Sequence, residues 1–258
     1  MLIIILISIL ISLIFAPLGC VNLWKKYTYF GDGLAHASLL AGSISIIGNI
    51  PIIYSGLLLA IIFAVSVFKL KSTSESNAVI SMISSFMLAI AFILASTTTS
   101  QVNIDHLLFG DIVSASVDDL KMLGLLLVVV GCFYIIFYKR ILLIVLNRDI
   151  AQVQGINVKM IELLFLIILS LAVFLTIKIV GALLVTSILL IPAIAARIIS
   201  TTPLQMIIIS VGLALISNLL GLYISLYLDI PTMPIIIVVN VMIYFLLNIF
   251  KIFQHRLE

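Results

Sequence analysis

Charge is what this chain lacks most. Lysine, arginine, aspartate and glutamate make up 9% of its 258 residues, against about 25% in an average soluble domain, while apolar residues make up 64% against about 45–50%. Such a chain has too little polar surface to cover a water-facing globule, and composition assigns it to a membrane. Cysteine is nearly absent: Cys20 and Cys132 stand in separate apolar stretches, which excludes a disulfide framework and a thiolate metal site. No glycine precedes a lysine, so the phosphate-binding loop ending in Gly-Lys-Ser/Thr is missing and the chain cannot hydrolyse ATP through that motif. His-Glu-x-x-His and Gly-x-Ser-x-Gly are missing too, and no paired carboxylates lie deep in an apolar stretch to suggest a proton pump or an intramembrane protease. Neither enzymatic activity nor a nucleic-acid partner is expected.

Long apolar runs are abundant. A helix needs about 20 apolar residues to cross a bilayer, and nine stretches qualify or come close: residues 2–21, 32–50, 52–68, 78–95, 120–138, 161–177, 180–199, 204–226 and 234–250. The first is too long for a cleavable signal and lacks a basic leading region, so it reads as a span. The second and third are separated by little more than Asn49, Ile50 and Pro51, which suits a tight hairpin or a broken helix. The expectation is an all-α polytopic bundle of eight or nine spans, with residues 1–258 forming one transmembrane domain.

Basic residues orient the bundle, because cytoplasmic loops are enriched in lysine and arginine. With the amino terminus outside and the carboxyl terminus inside, eleven of the thirteen basic residues fall on the cytoplasmic side and only Lys121 and Lys178 outside. The expected location is a membrane crossed many times, in contact with lipid.

Against this background two ionisable residues stand out. Asp32 and His36 lie four positions apart in Gly31-Asp-Gly-Leu-Ala-His36, on one face of a helix about a turn apart. Placing such a group in a bilayer costs about 2.5–3.5 kcal/mol on insertion scales, so the pair reads as functional. Both can bind a metal ion. The alternatives are structural: Asp32 as the N-cap of its helix and His36 as a buried, hydrogen-bonded histidine. Topology puts both just inside the cytoplasmic end of the second span. His106 and His255 fall in polar segments and read as solvent-exposed.

Two hydrophilic segments interrupt the spans. The external one, residues 97–119, carries Asp105, His106, Asp111, Asp118 and Asp119, and reads either as a cation-concentrating entrance or as an ordinary solvated loop. The internal one, residues 139–160, contains an apolar run too short to span, residues 141–146, followed by Asn147-Arg-Asp149-Ile-Ala151-Gln-Val-Gln154-Gly155. The segment reads either as a short helix ending at Gly155, the favoured residue for a left-handed cap, which would offer a docking surface to a soluble partner, or as a plain connecting loop. Glu162, at a helix entrance beside Lys159, is where a carboxylate complements the helix dipole.

Five stretches carry a resemblance. They are Tyr29-Phe-Gly-Asp-Gly-Leu-Ala-His-Ala-Ser-Leu39, Leu107-Leu-Phe-Gly110, Asp149-Ile-Ala151-Gln-Val-Gln154-Gly155, Val180-Gly-Ala-Leu-Leu-Val185 with Leu190-Ile-Pro192-Ala193, and Tyr227-Leu-Asp229-Ile-Pro231-Thr-Met-Pro234. In this order and over this length the chain resembles the permease subunits of bacterial ABC importers for zinc, manganese or iron. The resemblance implies a homodimer of permeases, two cytoplasmic ATPase subunits that bind the ATP, and an extracytoplasmic metal-binding protein. It implies that Asp32 and His36 are ligands of the transported metal, zinc first. It also implies that Asp149, Ala151, Gln154 and Gly155 belong to the helix that couples to the ATPase, and that the chain holds no cofactor of its own. Gly33 departs from the family's commoner alanine, and Met233 from its commoner glycine. Two ligands make an incomplete zinc site, which suits an ion that must leave again. Manganese and iron accept the same donors. A permease for a larger metal chelate and an ion-gradient carrier are the rival readings.

Overall fold

The computed structural model describes residues 2–71, 76–97, 110–112 and 114–257, with side chains described through residue 253. Its helices are α1 (Leu2–Trp24), α2 (Phe30–Gly48), α3 (Ile52–Leu70), α4 (Ser76–Ser96), α5 (Val117–Leu146), α6 (Arg148–Val153), α7 (Val158–Val180), α8 (Val185–Ile199), α9 (Pro203–Leu228) and α10 (Thr232–Leu257). No strand occurs among the described residues. Eight of these helices are long and apolar enough to cross a membrane, and α8, at 15 residues, is a shorter apolar helix.

Hydrophobicity all round a helix leaves packing, rather than amphipathicity, to decide which face turns inward. The α2–α3 hairpin packs with α4 and α7, α1 packs against α5, α8 and α9, and α10 covers α8 and α9. The most enclosed helices are α2 and α7, while α5 and α10 are the least enclosed and present residues such as Ile135, Phe245 and Phe250 outward. In water such faces would aggregate; in a bilayer the acyl chains cover them. Between helices, small residues let backbones approach: Gly19 packs on the backbone of Leu189, and Gly31 on Thr186. Buried polar groups link elements as well, with Asn218 Nδ2 donating to Ser12 Oγ at 2.7 Å.

Polar contacts gather at the two ends of the bundle. At one end, which carries α6, Glu162 accepts ion pairs from Lys25 (2.6 Å), Lys71 (3.0 Å) and Arg148 (3.5 Å), joining α1, α3, α6 and α7. Lys251 donates to the carbonyl of Ile198 at 2.8 Å, so the last turns of α8 and α10 also meet. At the opposite end, Lys178 pairs with Asp119 at 3.0 Å, and the amide of Asp111 bonds the carbonyl of Lys178 at 3.1 Å. Ser116 and Asp119 form a capping box that starts α5.

Two expectations from sequence change here, and one open choice, hairpin or broken helix, is decided for the hairpin. The run 141–146 is not a separate segment: α5 continues unbroken for 30 residues, about 45 Å, and so projects beyond a hydrocarbon layer of about 30 Å. The seventh span does not start at Val180, because α7 continues to that residue. Gly181, at φ +90°, caps it, and a turn delays α8 until Val185. The second span is neither broken nor merged with the third. Asn49, in the left-handed region at φ +49°, reverses the chain between two intact 19-residue helices.

Candidate functional site

The hairpin register sets the depth of Asp32 and His36. Gly33 faces Phe63, and Ser55 donates its hydroxyl to the carbonyl of Ala41 at 3.0 Å, so the two helices run side by side in antiparallel order. Phe63 is eight residues before Lys71 on α3, which at about 1.5 Å per residue places Gly33 about 12 Å from the α6 end. Three residues further along α2, His36 lies about 4–5 Å deeper still. The pair therefore lies level with the middle of α3, deeper than the sequence topology predicts, because α2 begins about a turn deeper than α3 ends.

Asp32 is not the N-cap. Tyr29 occupies that position without a side-chain cap bond, and Asp32 sits in the first turn. Its carboxylate instead accepts a hydrogen bond from Thr186 Oγ1 at 2.6 Å, which ties α2 to the first turn of α8. His36 is half-buried, with Nδ1 2.6 Å from Ser84 Oγ on α4. If Nδ1 carries the ring proton and donates to Ser84, Nε2 keeps its lone pair, the arrangement a metal-ligating imidazole needs. Thr186 similarly uses one carboxylate oxygen and leaves the other available.

Both residues open into one cavity of about 470 Å³ between α2, α4 and the turn before α8, shared with the hydroxyls of Tyr29, Ser81, Ser84 and Ser85. Among the described residues no third His, Cys, Asp or Glu joins them. The chain thus supplies one nitrogen, one carboxylate and a set of neutral hydroxyls. The cavity has no acid pair to hold a divalent cation permanently.

Sequence reasoning missed Ser84 and Thr186. They lie 48 and 154 positions from their partners, and nothing local marks them. The spacing of Ser81, Ser84 and Ser85 on one face of α4 is the one signal that could have suggested Ser84.

The segment expected to dock a partner is a short helix. Asn147 caps α6 by accepting from the amides of Asp149 and Ile150. At the other end the amide of Ile156 bonds the carbonyl of Ala151 and that of Gly155 bonds Gln152, a Schellman closure with Gly155 at φ +75°. Asp149, Gln154 and Gly155 are exposed. Ala151 is not: it is fully buried and anchors the helix to the bundle. The residues presented outward, missed in the sequence, are the apolar Leu146, Ile150 and Val153, the last 88% exposed.

At the opposite end, a cavity of about 610 Å³ holds Asp111 and Asp229. Asp229 ends α9 in the left-handed region at φ +54°, and Ser225 closes the turn by bonding Ile230 and Thr232. Gly110, at φ +67°, presses on the backbone of Val180 and Gly181, where no side chain fits. Asp105, His106 and the 107–109 part of the Leu-Leu-Phe-Gly motif lie outside the described residues, as does the side chain of His255.

Comparison with known proteins agrees with this architecture. The ABC 3 transport family model matches residues 1–251. The high-affinity zinc uptake system membrane protein ZnuB of Buchnera aphidicola subsp. Schizaphis graminum is 33% identical, over 95% of each chain. ZnuB of Haemophilus influenzae is 30% identical over 95% of this chain and 94% of that one. In three dimensions, a chain of PsaBC from Streptococcus pneumoniae, solved in complex with Fab, superposes with a TM-score of 0.82 at 21% identity, covering 95% of this chain and 90% of that one. The chain therefore belongs to the ABC 3 transport family, as a multi-pass membrane permease.

Proposed function

We propose that this permease conducts a divalent metal ion, zinc first, into a bacterial cytoplasm, with Asp32 and His36 as its transient ligands. The observation that carries this reading is their convergence on one cavity midway along the α2–α3 hairpin, with Thr186 and Ser84 fixing the atoms turned away from the ion. The zinc-uptake names of relatives about a third identical support the choice of metal. One carboxylate, one imidazole and hydroxyls bind zinc more weakly than a four-ligand structural site, and weak holding lets the ion move on.

In this reading residues 1–258 act as one transmembrane domain without catalytic activity or a resident cofactor. A second copy completes the path, and two ATPase subunits dock on the α6 end. A metal-binding protein delivers ions to the other end, around Asp111 and Asp229. Asp149, Gln154 and Gly155 shape the docking helix, Ala151 seats it, and Ile150 and Val153 make its apolar contact. The α6 end faces the cytoplasm, which puts the amino terminus outside and the carboxyl terminus inside; the concentration of lysine and arginine at that end supports this.

A second reading, manganese or iron(II), is favoured by the hydroxyl-rich lining, since hard oxygen donors suit those ions. Uptake of radioactive zinc and manganese by proteoliposomes holding permease, ATPase and binding protein decides between them. His36→Ala is expected to abolish uptake at unchanged protein level. Thr186→Val is expected to raise the metal concentration for half-maximal uptake about tenfold, with Thr186→Ser restoring it. Normal uptake by His36→Ala removes the ligand assignment.

A further inference from the structure

Glu162 stands where the docking helix meets the helices that carry the metal pair. It lies near the start of α7, 4% exposed, and takes one cation from each of three other segments. Lys25 follows the last turn of α1, Lys71 is the C-cap of α3, and Arg148 is the first residue of α6. No acid stands in the first turn of α7, so complementing the helix dipole does not account for this carboxylate. The Lys25 and Lys71 pairs, at 2.6 and 3.0 Å, are short and largely buried. Separating such a pair strands a buried charge, so the carboxylate and its two ammonium groups move together. The Arg148 pair is longer, at 3.5 Å, and its arginine is half exposed. It is the arm that a partner seated on α6 can reposition.

From Glu162 the contacts lead on to Asp32. Lys71 Nζ also donates to the hydroxyl of Tyr27 at 2.8 Å, and Tyr27 is buried in the connection between α1 and α2. The Tyr27 amide bonds the carbonyl of Asn22, and its own carbonyl accepts the amide of Phe30, the first residue of α2. Asp32 is two residues further on. A second route runs along α3: Phe63, about two turns before Lys71, packs edge-on against the Phe30 ring at 5.2 Å and fills the space beside Gly33. Coupling between distant sites travels through chains of packed and hydrogen-bonded groups of this kind.

We propose that Glu162 is a positioning residue that carries the seating of the ATPase on α6, through Lys71 and Tyr27, to the start of α2 and so to the geometry of Asp32 and His36. The inference rests on the reading of α6 as the docking helix and of Asp32 and His36 as the metal pair. Coupling between two sites is reciprocal, so metal held by the pair also changes how tightly the ATPase sits.

Hydrogen exchange on the permease in nanodiscs, with and without saturating ATPase, reads the start of α2 independently of the metal. In the wild type the ATPase should slow exchange of the amides of residues 27–36 by about fivefold or more, the lower end of the usual range for coupled sites. Arg148→Gln cuts the chain of contacts at α6, and Tyr27→Phe cuts it at α2 while keeping the ring. Both should lose the response. Lys159→Gln, an exposed cation at the same end that forms none of the Glu162 ion pairs, should keep it. Thermal unfolding checks that all variants remain folded, and Tyr27→Phe, which changes no residue of α6, decides the matter if Arg148→Gln fails to hold the ATPase. No response in the wild type, an undiminished response in Tyr27→Phe, or a response lost equally in Lys159→Gln overturns the proposal. Zinc titration of the same samples separates it from the metal reading. Wild-type permease that binds no zinc but shows the expected exchange pattern refutes Asp32 and His36 as ligands and leaves the role of Glu162 standing. Zinc bound equally well with and without ATPase, together with no exchange response, refutes the role of Glu162 alone.

Discussion

Beside the carboxylate of Asp32, the space a methyl group at Gly33 would need is already taken by Phe63. An alanine Cβ there would stand 2.6 Å from Phe63 Cζ and 3.1 Å from Ile80 Cγ2. Phe63 and Ile80 are fully buried, so neither ring nor branch can swing aside. Alanine would gain about 1 kcal/mol of helix propensity, but overpacking a filled core costs about 1–3 kcal/mol, and the second effect wins. Gly33→Ala is therefore expected to lower the thermal unfolding midpoint of the purified permease and to weaken metal uptake through a displaced Asp32. Phe63→Leu in the same chain should restore both, and a Gly33→Ala protein with wild-type stability would refute the packing account. Asp32 and His36 were legible in the sequence as a candidate site because an acid and a histidine in an apolar helix are costly to place there. Their orienting partners were not, because serine and threonine are ordinary in membrane helices and only contact reveals what they hold.

Helix α6 shows how an element of six residues is held in shape. It is far too short to persist on propensity alone, so both ends are closed by side-chain and backbone caps and Ala151 pins its middle. Gly155 is the sensitive point: its φ of +75° excludes proline, and its amide is bonded to Gln152. Gly155→Pro is expected to abolish co-purification of the ATPase while leaving membrane yield unchanged. Gly155→Ala meets no steric clash and pays only the left-handed strain of about 1–2 kcal/mol, so it should weaken docking without removing it. Undiminished co-purification of Gly155→Pro counts against α6 as the docking element. The cap glycine was readable in sequence, as was the polar character of the segment. The continuation of α5 through Lys139, Arg140 and residues 141–146 was not, because charge in a helix that leaves the bilayer looks, residue by residue, like a loop.

For the molecule as a whole, the two ends differ in charge more than in shape. The basic residues that pair with Glu162 gather where α6 lies, and the carboxylates Asp111, Asp119 and Asp229 gather opposite. With Cys132 replaced by serine and Cys20 left buried, Asp229→Cys should react with an impermeant thiol reagent applied to intact cells. Gln152→Cys should react only after permeabilisation. The reverse labelling would invert the orientation and, with it, the direction of transport.

Sequence alone determined that the chain lives in a bilayer, that it has eight or nine spans, and where an acid–histidine pair and a short helix closed by glycine lie along it. Each of these depends on interactions within about 20 residues or on transfer from water to lipid, which the local sequence encodes. Tertiary structure decided the depth of Asp32 and His36, the hydroxyls beside them, the burial of Ala151 and the convergence of Lys25, Lys71 and Arg148 on Glu162. Those follow from which helices pack together, and in a membrane nearly every face is apolar enough to pack. The choice is made by small residues, buried hydrogen bonds and ion pairs between distant segments, as where Gly31 admits Thr186 to the side of Asp32.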